Sequence, residues 1–304
     1  SAIEDIGTRY LGREWESAGS TFEVRSPATG EVVARVADCG ADEARRAADV
    51  AHEAFQTWRL TTAFERSALL ERWADLMLER QEELAQAMTA EMGKPIRESR
   101  GEVAYAAGFV KWYAEEAKRV VGETIQSQFA HKRLFALKQP VGPVFAVTPW
   151  NFPLAMVTRK AAPALAAGCT FVLKPAEQSP LSALLAADLW REAGGPEGTL
   201  QVLPAKDPVP VAGALMADPR VRKVTFTGST EVGRVLYRQA ADTVKRISLE
   251  LGGHAPLLVF DDADLDVAVA QAVACKYRNA GQTCVCTNRV YVQRGIAEEF
   301  TAEF

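Results

Sequence analysis

The chain has 304 residues, 48% of them hydrophobic and 24% charged, which is typical of a globular protein with about two domains and a sizeable core. Its formal net charge of −4 gives no overall basic field, so we expect no nucleic-acid partner. No apolar run approaches the roughly 20 residues that cross a bilayer, so we expect no membrane partner.

The cysteines and histidines restrict the chemistry further. Five scattered cysteines, an odd number in a chain of this size, predict a reducing compartment and a cytoplasmic location. None of the three histidines lies near a cysteine at ligand spacing, so we expect no metal site.

The first part of the chain reads as short strands followed by helices. Alternating residues bounded by proline and glycine predict a hairpin over residues 22–36. Apolar residues at three- and four-residue spacing predict helical structure over residues 41–58, 63–92 and 95–117. An aromatic stripe on the last of these helices has helical spacing, which favours a position in the core. Its members are Tyr105, Phe109, Trp112 and Tyr113.

Residues 122–143 change character. Two half-apolar segments, 123–128 and 133–138, predict strands around a polar turn. Such a ribbon can pair with another subunit, which would favour a homodimer or homotetramer. A plain surface hairpin is the alternative.

From residue 142 onward, short apolar strands alternate with helices. This pattern predicts an α/β fold with a Rossmann-like, doubly wound parallel sheet. Ligands of such sheets bind at the carboxyl ends of the strands. Residues that could bind a ligand or take part in a reaction lie at the ends of four of the predicted strands. They are Trp150 and Asn151, Lys174 and Glu177, Gly228 and Ser229, and Glu250.

Each of these strand ends suggests a role and has a structural alternative. The turn at Gly228 and Ser229 opens a helix whose free amides suit a phosphate, although Ser229 or Thr230 could simply cap that helix. Lys174 and Glu177 could bind the hydroxyls of an adenosine ribose, where a carboxylate favours NAD over NADP, or could form a solvated charge pair.

Two further residues could serve hydrolytic chemistry. Glu250 precedes two glycines that allow close backbone approach, and a carboxylate there could act as a general base towards water. Asn151 offers an amide donor that could hold an oxyanion. Taken singly, each is more often structural.

A cysteine near the end of the chain connects these features. Cys284 follows the flexible segment Ala-Gly-Gln-Thr, with Arg278 six positions before it. A bend that presents a thiol at a cavity suits a covalent nucleophile, because the thiolate is the reactive form. A buried structural cysteine is the alternative.

Together the segments resemble the NAD(P)-dependent aldehyde dehydrogenase superfamily. The matching segments are PWNFP at 149–153, KPAE at 174–177, FTGST at 226–230, LELGG at 249–253 and GQTC at 281–284. Within the superfamily, TRK at 158–160 and KYRNAGQTCVC at 276–286 are most similar to the succinate-semialdehyde dehydrogenase branch.

The resemblance implies specific roles. Cys284 would attack the aldehyde, Asn151 would hold the oxyanion, and Glu250 would activate the hydrolytic water. Arg159 and Arg278 would bind the distal carboxylate of the substrate, in keeping with guanidinium chemistry. Cys286 would serve as a redox partner of Cys284, or would only pack. NAD, with NADP as a second possibility, would contact Trp150, Asn151, Lys174, Pro175, Ala176, Glu177, Gly228, Ser229 and Leu251.

The resemblance also implies a domain arrangement. Residues 1–121 and 144–253 would form the NAD-binding domain, 122–143 the oligomerisation hairpin, and 254–304 the first part of a catalytic domain whose remainder is absent. Succinate semialdehyde is the expected substrate. The alternatives are the same chemistry on glutarate semialdehyde or an aromatic aldehyde, and a truncated, non-catalytic cofactor-binding chain.

Overall fold

The computed structural model describes residues 2–304; Ser1, with which the predicted NAD-binding segment begins, lies outside it. The helices are α1 Ala2–Ile6, α2 Ala41–Trp58, α3 Ala63–Glu79, α4 Gln81–Met92, α5 Ile96–Ala117, α6 Ala155–Ala166, α7 Leu181–Glu192, α8 Pro208–Ala217, α9 Thr230–Ala241, α10 Leu265–Tyr277 and α11 Ala297–Glu303. The strands are β1 Arg9–Leu11, β2 Trp15–Ser17, β3 Thr21–Arg25, β4 Val32–Ala37, β5 Glu123–Ile125, β6 Leu134–Ala136, β7 Val144–Val147, β8 Phe171–Lys174, β9 Leu200–Val202, β10 Lys223–Thr227, β11 Arg246–Glu250, β12 Ala255–Val259 and β13 Thr287–Val292.

A seven-stranded sheet organises the chain, with the order β11-β10-β7-β8-β9-β1-β2. Its five strands from β7 to β11 are parallel, and β1 and β2 extend one edge in antiparallel fashion. The chain runs from β7 outward through β8 and β9, then returns to the other side of β7 for β10 and β11. The topological switch point of the sheet, where doubly wound folds bind their ligands, therefore lies between β7 and β10. This topology confirms the predicted fold class.

Helices cover both faces of this sheet, and the strand residues alternate accordingly. Val144 and Ala146 of β7 belong to the core under α3, α5, α6 and α7, whereas Phe145 between them belongs to the core under α2, α8 and α9. Because both of their faces are buried, β7 and β8 are nearly continuous apolar runs, whereas β11 at the edge alternates, with Arg246, Ser248 and Glu250 exposed.

The helical region differs from its prediction at one point. Residues 63–92 form two helices that meet at Arg80, whose backbone leaves helical geometry (φ −102°, ψ 22°). Arg80 contacts the Glu192 carboxylate of α7 with two hydrogen bonds of 3.0 Å. The start of α3 follows its sequence signal, since Thr62 Oγ1 accepts from the Glu65 amide and the Glu65 carboxylate accepts from the Thr62 amide.

The prediction that the aromatic stripe of α5 lies in the core is wrong. Tyr105 is 42% exposed and Trp112 is 64% exposed, while Phe109 and Tyr113 pack only partly against the core. Small side chains form the buried face of this helix and allow close packing on α3 and α6. They include Val103, Ala106, Ala107, Val110 and Ala114.

Three smaller sheets stand apart from the main one. β3 and β4 form the hairpin predicted over residues 22–36. β12 and β13 pair in parallel and are connected through α10, around a small core of Val259, Ala272, Ile296 and Phe300. β5 and β6 form the predicted antiparallel ribbon, shorter than expected and exposed at every strand position. None of the helices described over residues 2–304 is long and apolar enough to cross a membrane.

Candidate active site

A cleft of about 560 Å³ opens at the carboxyl ends of β7 and β10, at the topological switch point of the main sheet. Segments that are remote in the sequence meet there. Eight of the predicted site residues line it: Trp150, Asn151, Arg159, Gly228, Ser229, Leu251, Arg278 and Cys284.

Cys284 is an exposed, free thiol in this cleft. The turn that presents it has an unusual backbone, because Asn279 and Ala280 both have a φ of 55° and Gly281 follows with a φ of 75°. Residues with a Cβ rarely adopt this left-handed backbone conformation, and of the three residues only Gly281 does so without strain. The predicted bend is therefore present, but it begins two residues before the glycine.

Asn151 contacts the cysteine segment directly. Its side-chain nitrogen donates to the Gln282 carbonyl at 2.9 Å, which leaves its second N–H available to a ligand. Its own carbonyl accepts from Lys94 Nζ at 2.8 Å and from Asn279 Nδ2 at 2.9 Å. The residue whose amide is predicted to hold an oxyanion is thus fixed through both its side chain and its backbone carbonyl.

Lys94 belongs to a buried ion pair with Glu102, in which the side chains are 0% and 2% exposed. Burial lowers the pKa of Lys94, and the Glu102 carboxylate opposes that shift. Glu102 Oε1 also accepts from the amides of Leu154 and Ala155, each at 3.0 Å, at the start of α6. Sequence analysis missed this pair. Its signal was Glu102 itself, a charged residue beside the apolar stripe of α5.

The two arginines predicted to bind substrate carry no ion pair or hydrogen bond from their guanidinium groups within residues 2–304. Each lies instead near a phenylalanine ring. Arg278 Cζ is 5.5 Å from the centre of the Phe152 ring, and Arg159 Cζ is 5.7 Å from that of Phe109. Cation–π contacts hold a guanidinium while leaving its N–H groups free for an anion.

The turn after β10 is sterically closed to any residue with a side chain. A Cβ at Gly228 would lie 2.5 Å from the Phe226 ring, and the Gly228 amide donates to the Glu250 carbonyl at 3.0 Å. Ser229 caps α9, since its hydroxyl accepts from the Val232 amide at 3.3 Å. The hydroxyl therefore has the capping role given above as the alternative, while a phosphate could still approach the first amides of α9.

Lys174 and Glu177 form an ion pair of 2.8 Å across the Pro175–Ala176 turn. Lys174 is only 2% exposed, whereas the Glu177 side chain is 35% exposed, so the pair is open to solvent only at its carboxylate. Burial raises the pKa of Glu177, but the hydrogen bond and charge of Lys174 outweigh it, and the pKa is lowered overall. Glu177 lines a neighbouring cavity of about 430 Å³ together with Trp150 and Gln282.

Glu250 does not line the cleft of Cys284. It ends β11 and lines an adjoining cavity of about 510 Å³ with Lys160 and Arg246, while Arg159 lines both cavities. The chain that follows Glu250 nevertheless comes close to the cysteine, because a Cβ placed on Gly253 would lie 3.9 Å from the Cys284 carbonyl oxygen.

Lys160 is a second residue that sequence analysis left without a role. Its ammonium group is buried and donates to Thr225 Oγ1 at 3.1 Å. Burial and the neighbouring Arg159 charge lower its pKa to about 8, while the Glu250 charge opposes the shift. A lysine whose pKa is lowered towards neutral pH, in the same cavity as a carboxylate, is typical of functional sites.

Cys286 is buried and free, and Cys284 is not bonded to it in this structure. Its thiol donates to the Thr283 carbonyl at 3.2 Å, and Lys276 Nζ lies 3.9 Å away. Burial would raise its pKa, but the hydrogen bonds with Thr283 and the Lys276 charge outweigh it, so the pKa is lowered.

Comparisons with known proteins identify the family of the chain. Residues 15–304 match the sequence model of the Aldehyde dehydrogenase family. The chain is 55% identical to a glutarate-semialdehyde dehydrogenase of Pseudomonas putida over 96% of its own length and 61% of that protein. It is 54% identical to an NADP(+) succinate-semialdehyde dehydrogenase of Escherichia coli, over 95% and 60%.

A solved succinate-semialdehyde dehydrogenase from Burkholderia pseudomallei superposes with a TM-score of 0.95 and 51% identity, covering 98% of this chain and 62% of that one. The chain thus spans about 60% of the length of these curated relatives. The match over nearly all of its residues confirms the resemblance seen in the sequence: the chain belongs to the aldehyde dehydrogenase family.

Proposed function

We propose that this chain forms part of an enzyme that oxidises a carboxylate-bearing aldehyde, with succinate semialdehyde as the first candidate, to the corresponding acid. One observation carries the proposal. Two guanidinium groups that have no anionic partner among residues 2–304, those of Arg159 and Arg278, line the same cleft as the exposed thiol of Cys284. A substrate with a carboxylate at one end and an aldehyde at the other satisfies both features.

In the proposed reaction, the Cys284 thiolate adds to the aldehyde carbon and forms a thiohemiacetal. The free N–H of Asn151 and the Cys284 amide hold the oxyanion. A bound nicotinamide dinucleotide supplies the hydride acceptor for the oxidation to a thioester. Glu250 takes a proton from water, which attacks the thioester and releases the acid and the thiolate. For this step the Glu250 side chain must turn from its own cavity towards the cleft.

The cofactor residues fit a dinucleotide at the switch point. The glycine at 228 keeps the turn after β10 free of side chains, and the first amides of α9 would bind a phosphate. Lys174 and Glu177 would bind the adenosine ribose, with Pro175 and Ala176 shaping the turn between them. The Glu177 carboxylate disfavours a 2′-phosphate, so we propose NAD as the preferred cofactor and NADP as the weaker one.

We extend the proposal to the arrangement of the chain. Residues 1–121 and 144–253 would bind the cofactor, and residues 254–304 would carry the nucleophile. The exposed ribbon of residues 122–143 would pair with another subunit, because both of its strands have unpaired outer edges and exposed apolar side chains, Ile125, Leu134 and Phe135 among them.

The test is an aldehyde panel on the full-length protein with both cofactors. We expect NADH formation from succinate semialdehyde, its loss in Cys284→Ala, and a raised KM for carboxylated aldehydes in Arg278→Ala and Arg159→Ala. Propionaldehyde, which lacks the carboxylate, is the control substrate and should respond far less to the arginine variants.

Three outcomes would change the proposal. A higher kcat/KM for glutarate semialdehyde or an aromatic aldehyde would keep the chemistry and move the substrate. Equal or better kcat/KM with NADP would contradict the role of Glu177. Cofactor binding without turnover of any aldehyde would favour a non-catalytic protein.

A further inference from the structure

Glu98, a residue outside the cleft and 186 positions before Cys284, contacts the turn that presents the thiol. It lies in the first turn of α5 and is half-buried. Its two carboxylate oxygens accept from two consecutive amides: Oε1 from Asn279 at 2.8 Å and Oε2 from Ala280 at 3.2 Å.

These amides belong to the two strained residues of the turn. Asn279 (φ 55°, ψ 46°) and Ala280 (φ 55°, ψ 27°) are both left-handed, a conformation that is costly for residues with a Cβ. Successive amides in such a turn converge on one point and form a concave site for an anion. The Glu98 carboxylate occupies that site, so the helix holds the turn in its strained form.

Asn279 passes this constraint on to the cleft. Its side chain is 3% exposed, and Nδ2 donates to the Asn151 carbonyl at 2.9 Å and to the Gln282 carbonyl at 3.2 Å. The Gln282 carbonyl in turn accepts from the Asn151 side-chain nitrogen at 2.9 Å. The residue that Glu98 fixes is therefore the one that joins the oxyanion-binding asparagine to the segment carrying Cys284.

We propose that Glu98 is a positioning residue for Cys284. Its carboxylate fixes the left-handed turn at Asn279 and Ala280 and thereby sets the thiol against the Asn151 amide. This inference rests on the proposed function, in which Cys284 is the nucleophile.

The test compares Glu98→Ala and Glu98→Gln in the full-length enzyme, with Glu115→Gln, an exposed carboxylate at the other end of α5, as matched control. We expect Glu98→Ala to lower kcat about 10- to 100-fold with little change in KM, because a displaced nucleophile affects the reacting geometry more than substrate binding. Glu98→Gln keeps one acceptor oxygen, so its kcat should lie between the kcat of Glu98→Ala and that of the unaltered protein. The control should keep its kcat.

A second variant isolates the strained turn. Glycine adopts the left-handed conformation without strain, so Glu98→Ala combined with Ala280→Gly should recover part of the lost kcat. A residue that merely stabilises the fold would lower the thermal midpoint without this recovery.

The outcomes separate the inference from the proposed function. Turnover that survives Cys284→Ala would end the proposed function and this inference with it. If Cys284 is essential but Glu98→Ala keeps its kcat, or if the Ala280→Gly combination recovers nothing, Glu98 does not position the nucleophile. Should Glu98→Ala fail to fold, Glu98→Gln decides, and an unchanged kcat in that variant overturns the inference.

Discussion

The two sides of the cleft are built in different ways. The side that carries Asn151 and Arg159, here called the sheet wall, comprises residues 144–250 around the main sheet and is packed on both faces. The opposite side, here called the cysteine wall, comprises residues 251–304, carries Arg278 and Cys284, and has only a small apolar core. Most residues of β12, β13 and α10 are exposed or half-exposed.

The two walls hold their side chains in place by different interactions. A side chain in the sheet wall is fixed by close packing, which tolerates little displacement. The turn before Cys284 is fixed instead by polar contacts with other segments, chiefly with Glu98 and Asn151. Long-range hydrogen bonds thus do for the cysteine wall what the hydrophobic core does for the sheet wall.

The largest expected effect comes from the buried Lys94–Glu102 ion pair, which contacts the sheet wall at Asn151, Leu154 and Ala155. Lys94→Met leaves the Glu102 carboxylate buried and unpaired, and we expect a loss of about 3–5 kcal/mol in unfolding free energy. Arg100→Met, which breaks the exposed pair with Glu82, is the control and should cost about 1 kcal/mol or less. Chemical denaturation of both variants measures the difference, and similar losses would show that burial gives the Lys94–Glu102 pair no greater effect on stability than an exposed pair has.

The contrast in packing can be tested in the 304-residue chain by truncating one leucine on each side. Leu173 in β8 is fully buried, so Leu173→Ala should cost about 2–5 kcal/mol. Leu258 in β12 is 60% exposed, and Leu258→Ala should change stability by roughly 0.5 kcal/mol at most. Equal shifts of the denaturation midpoint would contradict the distinction between the walls.

The pH dependence of stability tests a buried carboxylate, Glu91, that contacts the sheet wall at Leu181 and Ser182. Burial raises the pKa of Glu91 to about 7, although Ser182 and the amides of Leu181 and Ser182 donate to its carboxylate. Between pH 4.5 and 7 the folded state keeps a proton that the unfolded state releases, so this group's stabilisation is complete below pH 4.5 and lost as pH rises through 7.

The wild type should lose up to about 3 kcal/mol across that range because of Glu91, from roughly 1.4 kcal/mol per pKa unit. In Glu91→Gln the same interval should be flatter, as read from unfolding free energies measured at half-unit pH steps. Parallel curves for the two proteins would mean that Glu91 titrates normally.

The smallest expected effect concerns the second cysteine. Cys286→Ala removes one buried thiol and its bond to the Thr283 carbonyl, so stability should fall by only about 1 kcal/mol. If hydrogen peroxide links Cys284 to Cys286 by oxidising both thiols, with water as the product, the variant should lose the thiol-reversible part of its inactivation. An unchanged response to peroxide and thiol would leave Cys286 as a packing residue.

Much of this arrangement could be read from the chain. Alternating apolar strands and helices determine a doubly wound sheet, and parallel strands must place their carboxyl ends along one edge. That is why Asn151 after β7 and Gly228 after β10 could be expected in one cleft. The turn at Gly228 was also predicted from the sequence, and the structure adds the reason for the glycine, since a Cβ there would lie 2.5 Å from the Phe226 ring.

Only the tertiary structure decided the rest. The contacts of Glu98 with Asn279, of Lys94 with Asn151, and the placement of Glu250 in a neighbouring cavity leave no periodic signal, because they depend on how separately formed elements meet. The prediction that the aromatic stripe of α5 is buried was wrong for the same reason. Helical spacing defines a face, but the surface packed against the helix decides which face is buried. Local sequence sets the elements and their ends, whereas the position of the Cys284 thiol is set by long-range polar contacts that exist only after folding.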